Sequence, residues 1–163
     1  AYLSGPLGHL PARNRLEGFR KALSKHGLPL LESDLLEGDF SQESGYVCMQ
    51  TLLSQSDIPK AVFAGNDLMA IGALQAAKHM GLSVPGDIAI IGFDDISMAA
   101  LMTPALTTIR QPMVTLGHKA AEMLVIHLSN PESEMVANTE TLSTTDTLST
   151  SLVIRQSCGC TGR

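Results

Sequence analysis

Two adjacent carboxylates, Asp94 and Asp95, follow the run Ile88-Ala-Ile-Ile-Gly-Phe93. Ile88 to Ile91 is short, apolar and rich in β-branched residues, with Gly86 before it and Gly92 after it, which is the pattern of a strand buried on both faces. In a parallel sheet such a pair stands at the carboxyl end of its strand, the edge where ligands collect in open α/β folds. Other polar residues follow other apolar runs in the same way. Gly5-Pro6 leads to Arg13 and Arg15, Asp39 and Phe40 close a second run, Gly65, Asn66 and Asp67 a third, and Arg110 and Gln111 a fourth. A planar guanidinium, amides and a carboxylate can each engage vicinal hydroxyls, and an aromatic ring can cover the apolar face of a sugar. A buried Asp94 also needs a cation beside it, and Arg15 is the candidate.

Each of these residues has a plainer reading. Asn66 and Ser41 stand where helix caps stand, Arg15 alone reads as a solvated helix residue, Phe40 alone as core, and Asp95 as the cap of the following turn. The case for a site rests on convergence at one edge. An enzymatic reading would have the acidic pair hold Mg²⁺ for phosphoryl transfer. That chemistry needs a phosphate-binding lysine or glycine loop at the same edge. Lys60 falls at the opposite end of its strand and no such loop is visible, so no catalytic residue is assigned and the chain reads as a non-enzyme.

The elements that must position these groups alternate. Short strands are expected at Ala1–Ser4, Asp34–Glu37, Ala61–Ala64, Ile88–Ile91, Leu106–Ile109 and Leu152–Arg155. Helices are expected from Arg13 to Gly27, after a Ser41 cap with Tyr46, Met49 and Leu53 on one face, from Asp67 to Met80, briefly from Ile96 to Met102, and from Val114 to Leu128 with Leu116, Ala120 and Leu124 on one face. The alternation implies right-handed crossovers and a parallel sheet. The Asp67–Met80 helix is apolar almost all round, through Leu68, Met69, Ile71, Ala73, Leu74 and Ala77. It needs two partners, the sheet and, on this reading, a second subunit. Residues 130–151 are polar, with the direct repeat Thr139-Glu-Thr-Leu-Ser-Thr144 and Thr145-Asp-Thr-Leu-Ser-Thr150, which reads as a duplication in a tolerant surface connection.

Composition narrows the class. A chain of 163 residues that is 44% apolar and 17% charged can bury a real core. Its net charge of −5, without a Lys/Arg cluster, gives no nucleic-acid footprint. No apolar run is long enough to span a bilayer and no charged start precedes an apolar signal segment, so a cytoplasmic location is expected. The chain opens inside a strand pattern, as an internal stretch of a longer parent would. Its three cysteines make no disulfide framework. Cys48 reads as core, and Cys158-Gly159-Cys160 lacks the second ligand pair of a metal site, so no metal or cofactor is expected.

Taken together, the stretches Ser4-Gly5-Pro6, Arg15-Leu-Glu-Gly-Phe19, Gly38-Asp39-Phe40, Ala61-Val-Phe63, Asn66-Asp-Leu-Met-Ala-Ile-Gly72, Val84-Pro85, Ile91-Gly-Phe-Asp-Asp95, Pro104-Ala-Leu-Thr-Thr-Ile-Arg-Gln-Pro112 and Leu152-Val-Ile-Arg-Gln-Ser157 resemble the LacI/GalR family of transcription regulators. The resemblance implies an effector-binding core with a periplasmic-binding-protein-like fold of two subdomains, and the fold class expected is a doubly wound three-layer α/β fold. Residues 1–109 would be its second subdomain, 110–150 a crossover with a helix and polar connection of the first, and 151–163 a returning strand and tail. The DNA-binding helix-turn-helix is absent. The resemblance places Arg15, Asn66 and Asp94 on the family's effector contacts, Phe40 on the aromatic that covers the ligand, and Gln111 on the crossover lining the cleft. It places Ile71 and Met102 at the dimer interface. Asn66 resembles the sugar-responsive members rather than the purine-responsive one, and Pro11-Ala-Arg13 with Arg15-Leu-Glu-Gly18 is most similar to the ribose type. The expected protein is thus the sugar-sensing and dimerising part of a repressor that reaches operator DNA only through its missing amino-terminal domain. The alternative is an exported sugar-binding protein of a transport system, which shares the fold. The Pro104–Pro112 and Leu152–Ser157 stretches favour the regulator.

Overall fold

The computed structural model describes residues 1–129 and 147–160. The elements run β1 (Tyr2–Ser4), α1 (Leu10–Lys25), a 3-10 turn (Glu32–Asp34), β2 (Leu35–Glu37), α2 (Gln42–Leu53), β3 (Ala61–Ala64), α3 (Asp67–His79), β4 (Ala89–Asp94), α4 (Ser97–Leu101), β5 (Thr107–Arg110), α5 (Met113–Ser129) and β6 (Ser151–Val153). The six strands form one sheet in the order β2-β1-β3-β4-β5-β6. The pairs β1–β2, β1–β3, β3–β4 and β4–β5 are all parallel. The chain moves outward from β1 to β2 and then returns past β1 to β3. That reversal opens a crevice outside the carboxyl ends of β1 and β3.

Two compact units divide the chain: residues 1–110 with 152–163, and residues 111–151. In the larger unit, α2 and α3 cover one face of the sheet. Leu3, Val62, Ala64 and Ile90 from the strands meet Met49, Leu52, Met69, Ala70 and Ala73 from these helices in the buried core. The other face carries an aromatic cluster. Tyr2 stacks on Phe19 of α1 at 5.1 Å and meets Phe63 edge-on at 5.4 Å, which pins α1 over β1 and β3.

The helix starts are written in the sequence. Ser41 Oγ accepts from Ser44 N at 3.0 Å to open α2, and Asn66 Oδ1 accepts from Met69 N at 2.9 Å to open α3. Gly27, at φ +67, follows α1 in the left-handed conformation that glycine adopts without strain.

Three sequence expectations change. First, β4 does not stop at Gly92. It continues to Asp94, with Gly92 opposite Thr108 and Asp94 opposite Arg110 of β5, so Asp94 belongs to the sheet. Second, β4 is fully buried on one face only: Ile90 and Gly92 are buried, while Ala89, Ile91 and Phe93 are half-buried. Third, the second partner of the all-round apolar helix α3 is α2 of the same chain. A methyl placed on Gly72 would fall 2.0 Å from Gln42 O, and one on Gly45 would fall 2.2 Å from Met69 O. Missing side chains thus let the two helix backbones touch. Ile71 is only 1% exposed in this packing and offers no surface to a second copy, whereas Met102 is half-buried. The burial argument for a dimer through α3 therefore does not hold.

In the smaller unit α5 carries exposed apolar side chains, among them Leu116 at 48% and Leu124 at 58%, the residues expected to line its packed face. Most of the direct repeat at 139–150 lies outside the described residues. No helix among the described residues is long and apolar enough to cross a membrane.

Candidate ligand site at the strand ends

Arg15 is the hinge of the polar edge. It leaves the first half of α1 and its Nη1 donates to Gly65 O, just beyond β3, at 2.7 Å. Its guanidinium lies 4.0 Å over the Phe93 ring and 5.8 Å from that of Phe40, so two aromatic faces hold the charge. Its Nη2 lies 3.7 Å from Asp94 Oδ1. The side chains of Arg15 and Asp94 keep 18% and 27% of their exposure, so the pair is reachable from solvent.

Phe40 stands beside them in a left-handed backbone, φ 70, which a bulky residue rarely adopts. Two contacts impose it. Asn66 Nδ2 donates to Phe40 O at 2.9 Å, and the Phe40 ring occupies the space where a Gly5 side chain would begin, 2.1 Å from a methyl built there. Asn66, 8% exposed, therefore serves as helix cap and strap at once. An amide has two donors and two lone pairs, so one N–H and one lone pair remain for a ligand. Asp39, beside Phe40, accepts hydrogen bonds from Ser41 and Ser44, which hold its carboxyl down at about 2.

Asp95 has a different place from the turn cap expected of it. The helix α4 opens at Ile96, and it is Asp67 Oδ2 that accepts from Ile96 N, at 2.9 Å. Asp95 instead receives two arginines: Arg110 Nε at 2.6 Å on Oδ2 and Arg155 Nη2 at 2.6 Å on Oδ1. Burial opposes its charge, but the hydrogen bonds from Arg155 and Arg110 prevail and keep its carboxyl below the usual range. Arg155 also donates through Nη1 to Leu106 O at 2.7 Å, which ties the end of the chain onto β5.

Asp67 is the second buried carboxylate that sequence reasoning left without a role. It is 0% exposed and accepts from Thr108 Oγ1 at 2.5 Å. Burial pushes its carboxyl up despite that bond. Phe93 and Arg155 were missed as well. The alternation along β4 placed Phe93 on the α1 face, and the Ile154-Arg-Gln-Ser157 ending carried Arg155. Neither has a local partner that would flag it in one dimension.

Thus the structure brings Arg15, Phe40, Asn66 and Asp94 together at the carboxyl edge of β1, β3 and β4. Gln111 opens the smaller unit, where its carbonyl accepts from Met113 N at 2.9 Å. The cluster offers a fixed cation, a carboxylate, an amide and an aromatic face. Among the described residues no group of three or more His, Cys, Asp or Glu could hold a metal ion.

Residues 1–158 match the model of the periplasmic binding protein-like domain. The chain belongs to that family. Within it, the chain is similar to the effector-binding core of LacI-type regulators, the resemblance expected from its motifs. It is 48% identical over 132 residues to the HTH-type transcriptional repressor PurR of Edwardsiella ictaluri, covering 81% of this chain and 39% of the relative. It is 47% identical over 131 residues to the ribose operon repressor of Escherichia coli K12, covering 80% and 40%. A solved LacI-type putative transcriptional regulator from Bacillus cereus subsp. cytotoxis superposes with a TM-score of 0.87 at 30% identity, over 100% of this chain and 54% of that one. The chain thus spans about two fifths of its curated relatives. Those relatives are transcriptional repressors. The two identities, 48% and 47%, are too close to select an effector.

Proposed function

We propose that this chain is the effector-sensing part of a transcriptional repressor, acting in the cytoplasm without catalysis, and that its effector is ribose or a similar small sugar. The observation that carries the reading is the solvent-reachable Arg15–Asp94 pair at 3.7 Å, backed by Phe93 and beside Phe40, which Asn66 holds. A guanidinium and a carboxylate side by side fit neighbouring sugar hydroxyls, and Phe40 fits an apolar sugar face. Gln111 would add an amide from the crossover.

In the longer polypeptide that this reading requires, the effector would bind between two subdomains and shift their relative populations. A homodimer would carry that shift to operator DNA through a separate DNA-binding segment. Support for a second copy comes from apolar side chains exposed on and beside α4: Leu101 at 81% and Met98 at 47%, next to the half-buried Met102. The exposed face of α5 would be covered by the rest of its own subdomain.

Titration calorimetry with ribose, other pentoses and a purine base tests the reading. A longer product containing both subdomains should bind a sugar and not the purine. This chain alone, with one wall of the cleft, should bind it weakly. Micromolar binding by this chain would overturn the half-cleft argument, and purine binding would overturn the sugar assignment.

A further inference from the structure

The Cys158-Gly159-Cys160 turn is a chemistry-bearing motif, among the described residues, that the ligand site leaves unused. We propose that Cys158 and Cys160 form a reversible dithiol–disulfide couple, closed by a low-molecular-weight disulfide such as oxidised glutathione.

The two thiols are held on each other. Cys160 N donates to Cys158 Sγ at 3.2 Å, and Cys160 Sγ lies 3.8 Å from Cys158 O. Gly159, at φ +68, makes the turn between them in a conformation that an ordinary side chain would strain. The turn stands on a fixed base. Just before it, Ser157 is 0% exposed, donates to Ile90 O at 2.6 Å and accepts from Thr107 N at 2.9 Å, bridging β4 and β5. Two residues further back, Arg155 N donates to Thr107 Oγ1 at 2.8 Å. The thiols therefore pay little ordering entropy to meet.

The two sulfurs are also chemically unequal. Burial opposes the Cys158 thiolate, but hydrogen bonds from Thr107 and Cys160 outweigh it and bring the thiol below its usual range. The hydrogen bond to Cys158 pushes Cys160 up, and Cys160 is exposed. A thiol whose ionisation is eased, with a second thiol held beside it by the turn, is the arrangement on which reversible thiol oxidation depends. The remaining cysteine, Cys48, does not compete: it is buried in α2, where burial raises its thiol and its Sγ donates to Glu37 O at 3.6 Å. A metal is the poorer occupant, because no third ligand stands by among the described residues.

The steps balance. The Cys158 thiolate attacks one sulfur of the small disulfide, forming a mixed disulfide and releasing one small thiolate. Cys160 loses its proton to solvent and attacks Cys158 Sγ, releasing the second. The sum is one small disulfide and two protein thiols converted to one protein disulfide and two small thiols.

The whole chain is equilibrated in glutathione buffers of rising oxidised fraction, quenched with acid, and read by intact mass and peptide mapping. The expected product has lost two hydrogens, retains no glutathione, and maps to Cys158–Cys160, in the native sequence and in Cys48→Ala alike. Cys160→Ser should instead trap one glutathione on Cys158. Closure in the folded chain should exceed that in the urea-unfolded chain at least about tenfold, because the turn pre-aligns the pair. The proposal is overturned by stable glutathionylation without ring closure, by a bond to Cys48 or between molecules, by no trapped adduct in Cys160→Ser, or by equal closure when unfolded.

Discussion

Asp94 and Asp95 are neighbours in sequence and alike in chemistry, yet they meet different partners in different environments. Asp95 is clamped by Arg110 and Arg155, each at 2.6 Å, with its side chain 7% exposed. Asp94 meets Arg15 at 3.7 Å with 27% of its side chain exposed. Both are in positive-φ backbone, φ 122 and φ 60, so the chain is strained through the turn on both sides of their shared peptide. The difference lies in what each carboxylate already has. Asp95 spends its charge on binding β5 and the chain's last segment together. Asp94 and Arg15 stand 3.7 Å apart and both stay reachable from solvent.

The largest effect should come from the clamped side. Asp95→Ala leaves Arg155, 17% exposed, without its carboxylate. Removing the charged acceptor of such a half-buried pair costs about 2 kcal/mol. Urea unfolding should show that loss as an earlier midpoint with an unchanged slope. A loss below about 1 kcal/mol, the size typical of a surface pair, would erase the contrast with Asp94.

Close to it in size is the packing beneath the open side. In Gly5→Ala the new methyl would fall 2.1 Å from the Phe40 ring, whose backbone Asn66 pins through Phe40 O. The ring must move or the strand must shift, at a cost of about 2 kcal/mol, in the range of small overpacking substitutions. Unfolding measurements check the cost. The shift should also reduce ligand affinity, since Phe40 forms one wall beside Arg15.

How far the sequence revealed this contrast follows from the range of each interaction. Strand and helix alternation, the Ser41 and Asn66 caps and the gathering of Arg15, Phe40, Asn66 and Asp94 were legible, because caps and periodicity are local and strand ends repeat a pattern. The parallel sheet followed from the same alternation. The role of Asp95 was not legible, because Arg155 lies 60 residues away and joins it only after β5 and the last segment are in place. The true partner of α3 was hidden for a related reason. An all-round apolar helix reveals that it has two neighbours, but not that Gly45 and Gly72 let α2 be one of them.

A smaller effect, with opposite signs in two carboxylates, appears on acidification. Asp95's carboxyl is depressed by its arginines, so its contribution is present above the unfolded value of about 4 and drains away as pH falls through the folded value. Asp67's carboxyl is raised by burial. The folded chain holds that proton more tightly, so Asp67 favours folding below about 4 and the advantage is lost as pH climbs through the raised value. Stability measured in urea from strongly acidic pH, well below about 4, up to neutral pH should therefore respond oppositely to the two changes. Asp95→Asn should flatten the acid-side loss, and Asp67→Asn should remove the decline toward neutral pH. Identical curves for the two variants would mean that both carboxylates have the same environment.

The smallest structural effect should belong to Asp94, and it carries the sharpest functional consequence. Arg15 does not depend on Asp94 for its place, since Gly65 O holds its Nη1 at 2.7 Å and the Phe93 ring lies 4.0 Å beneath its guanidinium. A partly exposed pair is worth about 0.2–1 kcal/mol, so Asp94→Ala should unfold within about 1 kcal/mol of the native sequence. Asp94→Gly should be at least as stable as Asp94→Ala, because glycine tolerates φ 122 and alanine does not. Both should nevertheless lose sugar binding in the two-subdomain protein, read by calorimetry, because the carboxylate that would accept from the hydroxyls is gone. Retained affinity in a folded Asp94→Gly variant would move the ligand off this residue and leave Asp94 a second, weaker clamp.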